Sequence, residues 1–214
     1  MKTLENLLSF LKAPYRAESY TNLRGYGFLF LLIVTLVVVV PYALILEWAG
    51  MDQFDNIMLE LLENQKWLVA VLAILVAPVL EEPIYRLHLD LKKSSIIWSL
   101  GLSLLLINNI WYPLVLFWIY LIYLLVKVDR GQTLNLKFVV YFSAAMFSLI
   151  HMVNFREFDY WNYFYFVPLL VGAQFFVGLV LSYVRLNHGM LWAVIFHAVY
   201  NAVLVIPAIY FYEP

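Results

Sequence analysis

Cysteine is missing from this 214-residue chain, and charged residues are scarce at 13%. The first absence excludes disulfides, thiolate catalysis, cysteine–metal sites and S-lipidation of this chain. The second is incompatible with an ordinary water-soluble globule, which draws roughly a quarter of its residues from Asp, Glu, Lys and Arg. An excess of charge of one sign is lacking too: 13 basic and 14 acidic residues leave a net charge of -1, so nothing favours a nucleic-acid partner. What fills the space is apolar. Hydrophobic residues make up 65% of the chain and the mean hydropathy is +0.86. These proportions predict an all-α, polytopic bundle in a lipid bilayer, where only helices and closed barrels satisfy every backbone group internally.

A spanning helix needs about 20 mostly apolar residues. Gly25 to Leu46 meets that requirement and is too long for a signal-peptide core, so it reads as a retained first span. Residues 1–24 form an arm in which Leu4, Leu7, Leu8 and Leu11 recur at helical spacing, as in a short helix lying on the bilayer surface. The second span starts at Trp67 and runs through Glu81 and Glu82 to about Leu91. Ser94 to Val126 is uncharged over 33 residues, interrupted by Asn108, Asn109 and Pro113, and fits two short helices with a tight turn. Further spans are expected at Phe138–Phe155, Tyr160–Tyr183 (with a kink at Pro168) and Gly189–Tyr210. The sum is seven spans in one domain over 25–214.

The basic residues set the orientation. Lys2, Lys12, Arg16, Arg24, Arg86, Lys92, Lys93, Lys127, Arg130, Lys137 and Arg185 fall on one side, and only Lys66 and Arg156 on the other. The N-terminus is expected in the cytoplasm and the C-terminus outside.

Ionisable groups inside spans cost on the order of 3 kcal/mol each and mark functional sites. Three clusters stand out. In Glu81-Glu82-Pro83-Ile84-Tyr85-Arg86, Glu82 and Arg86 are four apart and can pair on one helix face; Glu81, turned by about 100°, is left available. Pro83 withholds a backbone N–H from the carbonyl of Val79. The second cluster is Phe147 with His151, and the third His197 with Asn201, each pair four apart. A helix-packing role alone returns well under about 1 kcal/mol per interhelical hydrogen bond, little for four such groups. His88, Asp90 and His188 read instead as interfacial.

A carboxylate, two imidazoles and a carboxamide can hydrolyse an amide. Glu81 would take a proton from water, a histidine would share or return it, and His197 with Asn201 would donate to the oxyanion. Glu81, His151 and His197 could equally hold a zinc ion with an open position for water; the sequence leaves both versions open. A Gly-x-Ser-x-Gly elbow, a His-Glu-x-x-His motif and an intramembrane aspartate pair are all absent.

The three segments resemble the CPBP family, the CAAX proteases and bacteriocin-processing membrane proteins also called the type II CAAX prenyl endopeptidase or Abi family. Its Glu-Glu-x-x-x-Arg, Phe-x-x-x-His and His-x-x-x-Asn motifs have counterparts in Glu81-Glu82-x-x-x-Arg86, Phe147-x-x-x-His151 and His197-x-x-x-Asn201. The resemblance covers about residues 67–205, with 94–126 as an inserted hairpin and Leu87 where the family favours glycine. It implies an intramembrane endopeptidase of a bacterial plasma membrane acting on a membrane-embedded peptide or protein. In that reading Glu81 activates water, His151 assists, and His197 and Asn201 form the oxyanion site, with Glu82, Arg86 and Phe147 in support. A catalytically silent immunity or scaffold protein of the same fold is the main alternative. A proton- or metal-coupled transporter is a further one, without the internal repeat such proteins show. Counting helical rise places His151 nearer the external side than Glu81 and His197, so convergence requires staggered helices.

Overall fold

A computed structural model describes residues 2–23, 25–107 and 111–211; Arg24, Asn108 and Asn109 lie outside the described residues. Among these residues the regular structure is helical, joined by one antiparallel bridge between Asn56 and Phe155. The helices are α1 (Lys2–Lys12), α2 (Tyr26–Trp48), α3 (Ile57–Val71), α4 (Ala77–Arg86), α5 (Lys93–Ser103), α6 (Tyr112–Asp129), α7 (Leu136–Ile150), α8 (Tyr160–Tyr163), α9 (Val167–Leu170), α10 (Gly172–His188) and α11 (Met190–Phe211). A π-helical turn, Leu72–Val76, fuses α3 to α4.

Five helical stretches are long and apolar enough to cross a membrane, or six if the bent pair Tyr160–Leu170 and Gly172–His188 is one span. The expected count of seven therefore departs from what length alone supports. The difference is Lys93–Leu106, an apolar helix shorter than the others. The second stretch also begins earlier than Trp67: it is helical over Glu60–Asp90, with non-helical torsions at Gln65.

Two expectations need correction. The apolar face of α1 is covered by protein: Leu7 and Phe10 are buried in the main core, with Phe10 edge-on to Tyr183 and the carbonyl of Leu11 accepting from Tyr141. Among the leucines of that face, Leu8 is exposed. The bend in the sixth segment is not at Pro168, which sits in the first turn of α9, where its missing N–H removes no helical bond. The 42° break falls between Leu170 and Gly172, where Tyr42 packs against the chain. The hydroxyl of Tyr42, from α2, donates to the carbonyl of Leu169 at 2.7 Å and fills the space a Cβ at Gly172 would need. Gly172→Val should therefore destabilise the fold by about 1–3 kcal/mol through overpacking. Adding Tyr42→Ala should recover part of that loss in a thermal-unfolding comparison of the two single variants and the double.

The core lies where α10 packs along α7 and α11, with α4 completing it. At Gly178 a Cβ would come within 3.2 Å of Ala144 and Phe147. A small residue here lets two helices approach closely, the usual device for packing without a hydrophobic driving force. On the side of the N-terminus the arm is strapped across the bundle. The N–H groups of Ala17 and Thr21 donate to the carbonyls of Leu186 and Asn187. Arg16 donates to the carbonyl of Asp90, and Arg185 reaches Tyr20 at 2.7 Å and Asp90 at 3.6 Å. On the opposite side Asp159 caps α8, and its hydrogen bonds from Asn162 hold its carboxyl below the ordinary carboxylate range.

Candidate active site

Helix α4 separates the two glutamates. Glu82 points into protein and is fully buried, with Oε1 3.4 Å from Arg86 Nη1 one turn later and 2.9 Å from His197 Nδ1 on α11. A carboxylate only accepts, so His197 Nδ1 carries a proton. Arg86 is also fully buried, and its guanidinium lies 3.8 Å above the ring of Phe147. Neither Nη of Arg86 has a hydrogen-bond partner among the described residues; charge and the ring face hold it.

Glu81 faces the other way, into a cavity of about 510 Å³. Its side chain is 20% exposed, and its Oε2 stands 3.9 Å from His197 Nε2. His197 thus lies between two carboxylates, one sealed and one open. Its Nε2 can bear a proton donated toward the cavity or share one with Glu81.

Phe147, His151 and Asn201 line the same cavity. Phe147 is the hub of the arrangement. Its ring is edge-on to His151 at 4.9 Å and to His197 at 5.9 Å, and its carbonyl receives His151 Nδ1 at 2.8 Å. A carbonyl cannot donate, so Nδ1 is protonated and the neutral imidazole keeps its lone pair on Nε2. α7 ends at Ile150 and His151 opens a 3₁₀ turn, His151–Asn154, yet it lines the same cavity as Glu81 and His197.

Asn201 has a second task. Its Nδ2 donates to the carbonyl of Ala73 at 2.7 Å. In the π turn the Ala77 N–H bonds to the carbonyl of Leu72, five residues back. The same register would send the N–H of residue 78 to Ala73, but residue 78 is proline and has none. Asn201 satisfies the carbonyl that Pro78 orphans, and one N–H of its amide remains free. Asn201 is therefore a structural tie between α11 and the π turn, with an amide N–H to spare on the cavity side.

No family model, curated protein or solved structure matches this chain.

Among the described residues no three His, Asp or Glu side chains form a group that could hold a metal ion. As placed, Glu81, His151 and His197 do not form such a group.

Two amide side chains outside the motifs also line the cavity: Asn154 and Gln174. The Oε1 of Gln174 is buried without a partner. The sequence signal for it was an amide deep in the apolar Tyr160–Tyr183 stretch, weaker than a charge. His88 is a further correction. It is not interfacial but fully buried, with Nδ1 3.3 Å from Ser99 Oγ and its ring edge-on to Phe117 and Tyr120. Asp90 and His188 belong to the strapped end, His188 accepting or donating at Thr21.

Proposed function

We propose that this chain is a multi-pass membrane endopeptidase similar to the CPBP family, hydrolysing a peptide bond in a membrane-associated substrate with water activated by Glu81. The observation that carries the reading is the division of labour between adjacent carboxylates: Glu82 is consumed by Arg86 and His197, while Glu81 opens on the cavity with His197 Nε2 beside it. Counting Lys93–Leu106 as a short crossing and the bent pair as one gives seven spans. The basic bias of the arm side then puts the N-terminus in the cytoplasm and the C-terminus outside.

In the proposed step Glu81 removes a proton from water as its oxygen adds to the scissile carbonyl carbon. The carbonyl oxygen becomes an oxyanion, which accepts from His197 Nε2–H and from the free N–H of Asn201. On collapse the C–N bond breaks, and the amine leaves with a proton returned by Glu81, directly or through His151 Nε2. Phe147 and Arg86 hold the imidazoles in place and touch no reacting atom.

The test is cleavage of a membrane-peptide library by purified protein. Wild type is expected to cleave and His151→Ala to do so about 10²-fold more slowly. Equal rates would remove the assigned role of His151, and no cleavage by wild type would leave the silent immunity or scaffold reading. A chelator in the same assay distinguishes the metal-free step, which survives it, from a zinc-dependent one, which does not.

A further inference from the structure

The cavity is not symmetric about the bundle. Its lining on α2 comes from Val39 and Ala43, in the half of that helix remote from the arm, and on α3 from Met58 and Leu61, in the first turns, and Val69, in the last, about three turns short of Glu81. On α10 it comes from Ala173 to Val177, and on α11 it stops at His197 on the arm side and runs on to Leu204. Nothing in α4 beyond Glu81 contributes. All these helix ends face away from Tyr26, Asp90, His188 and Met190, the ends that the arm straps together.

Between Glu81 and the arm the interior is solid. Glu82, Arg86, His88, Leu89, Ala193 and Phe196 are each at most 1% exposed. Beyond them lie the backbone bonds of Ala17 and Thr21 to α10. At the other end the cavity rises past His151 to Asn154. There the loops before α3 and after α7 are joined by the Asn56–Phe155 bridge, by Arg156 N–H on the carbonyl of Asp55, and by Arg156 with Glu60 at 2.6 Å. The walls of this upper half are apolar, with Asn154 and the orphaned Oε1 of Gln174 as polar exceptions. The backbone N–H groups of an extended chain can donate to the unpartnered Oε1 of Gln174, and the Asn154 carboxamide can both donate to and accept from such a chain.

Resting on the peptidase reading for the nature of the occupant, we propose that the substrate is an extended apolar peptide segment that enters from the face opposite the N-terminal arm. By the charge asymmetry this is the external face. Gln174 and Asn154 hold its backbone above Glu81. A substrate presented from the arm side would meet the sealed end.

The absence of cysteine makes the test direct. Single cysteines are placed in the cavity (Gln174→Cys, Asn154→Cys), in the loop before α3 (Gln53→Cys) and in the arm-side loop after α6 (Gln132→Cys). Sealed vesicles are treated from one side with a membrane-impermeant cationic methanethiosulfonate. Gln174→Cys and Asn154→Cys are expected to label from the same side as Gln53→Cys, at least ten-fold faster than from the side that labels Gln132→Cys. Labelling of both cavity variants with Gln132→Cys, or from neither side, overturns the proposal. Labelling needs no turnover, so the two readings fail separately: an open cavity in a chain that cleaves nothing supports the entry route and removes the peptidase step.

Discussion

Glu81→Gln is expected to slow peptide cleavage by about 10³-fold while leaving the fold intact. General-base catalysis contributes about 10²–10⁴, and the amide keeps the shape of the carboxylate but cannot accept a proton from water. Stability should be nearly unchanged. Glu81 is the partly exposed member of the pair, and its close ionisable neighbour is His197, with Nε2 at 3.9 Å. The decisive comparison measures the single-turnover cleavage rate and the unfolding midpoint on the same preparations. A rate loss with an unmoved midpoint fits the base. Activity within ten-fold of wild type would transfer the role elsewhere, and a collapsed midpoint would make Glu81 structural.

The second large effect is on stability. Removing one member of the Glu82–Arg86 pair leaves the other charged, buried and uncompensated, which costs about 3–5 kcal/mol in water-soluble proteins. Arg86→Met should approach that cost, because Glu82 then has only His197 to neutralise it. Glu82→Leu should be similarly severe, since Arg86 has no hydrogen-bond partner on either Nη and would keep only the Phe147 ring at 3.8 Å. The double variant should be markedly more stable than the sum of the singles, because no charge is left stranded. Unfolding in detergent or bicelles measures all three. Strict additivity would mean that the two side chains do not stabilise one another. The double variant should still be slow in catalysis, as His197 loses the carboxylate that orients its ring.

The two predictions differ because adjacent glutamates on one helix turn differ in environment. That difference was readable in advance from helical geometry alone. A separation of four places Glu82 and Arg86 on one face, and a step of one places Glu81 on another. The i, i+4 relation of Phe147 with His151 was equally legible, and so was the predominance of apolar helices, because lipid leaves the backbone few other solutions.

Local pattern could not supply partners. His197 bonds to Glu82 across 115 positions and Asn201 to Ala73 across 128, and no periodicity encodes which face of one helix meets which face of another. The π turn was illegible for the same reason: Pro78 announces a missing N–H, but only the packing of α11 reveals what replaces it. His88 looked interfacial because it stands near Lys92 and Lys93 in the chain. Its burial is decided by Phe117 and Tyr120 on a helix the sequence does not order against it.

The amino-acid sequence by itself determined that this chain is helical and apolar, and which side chains share a face within each helix, because those follow from backbone hydrogen bonding and a fixed turn angle. The tertiary structure alone decided which distant side chains seal Glu82, where the sixth segment bends and which end of the cavity is closed. Those outcomes depend on close contacts between helices distant in sequence, where a single hydroxyl at Gly172 or a ring beside Arg86 outweighs local preference.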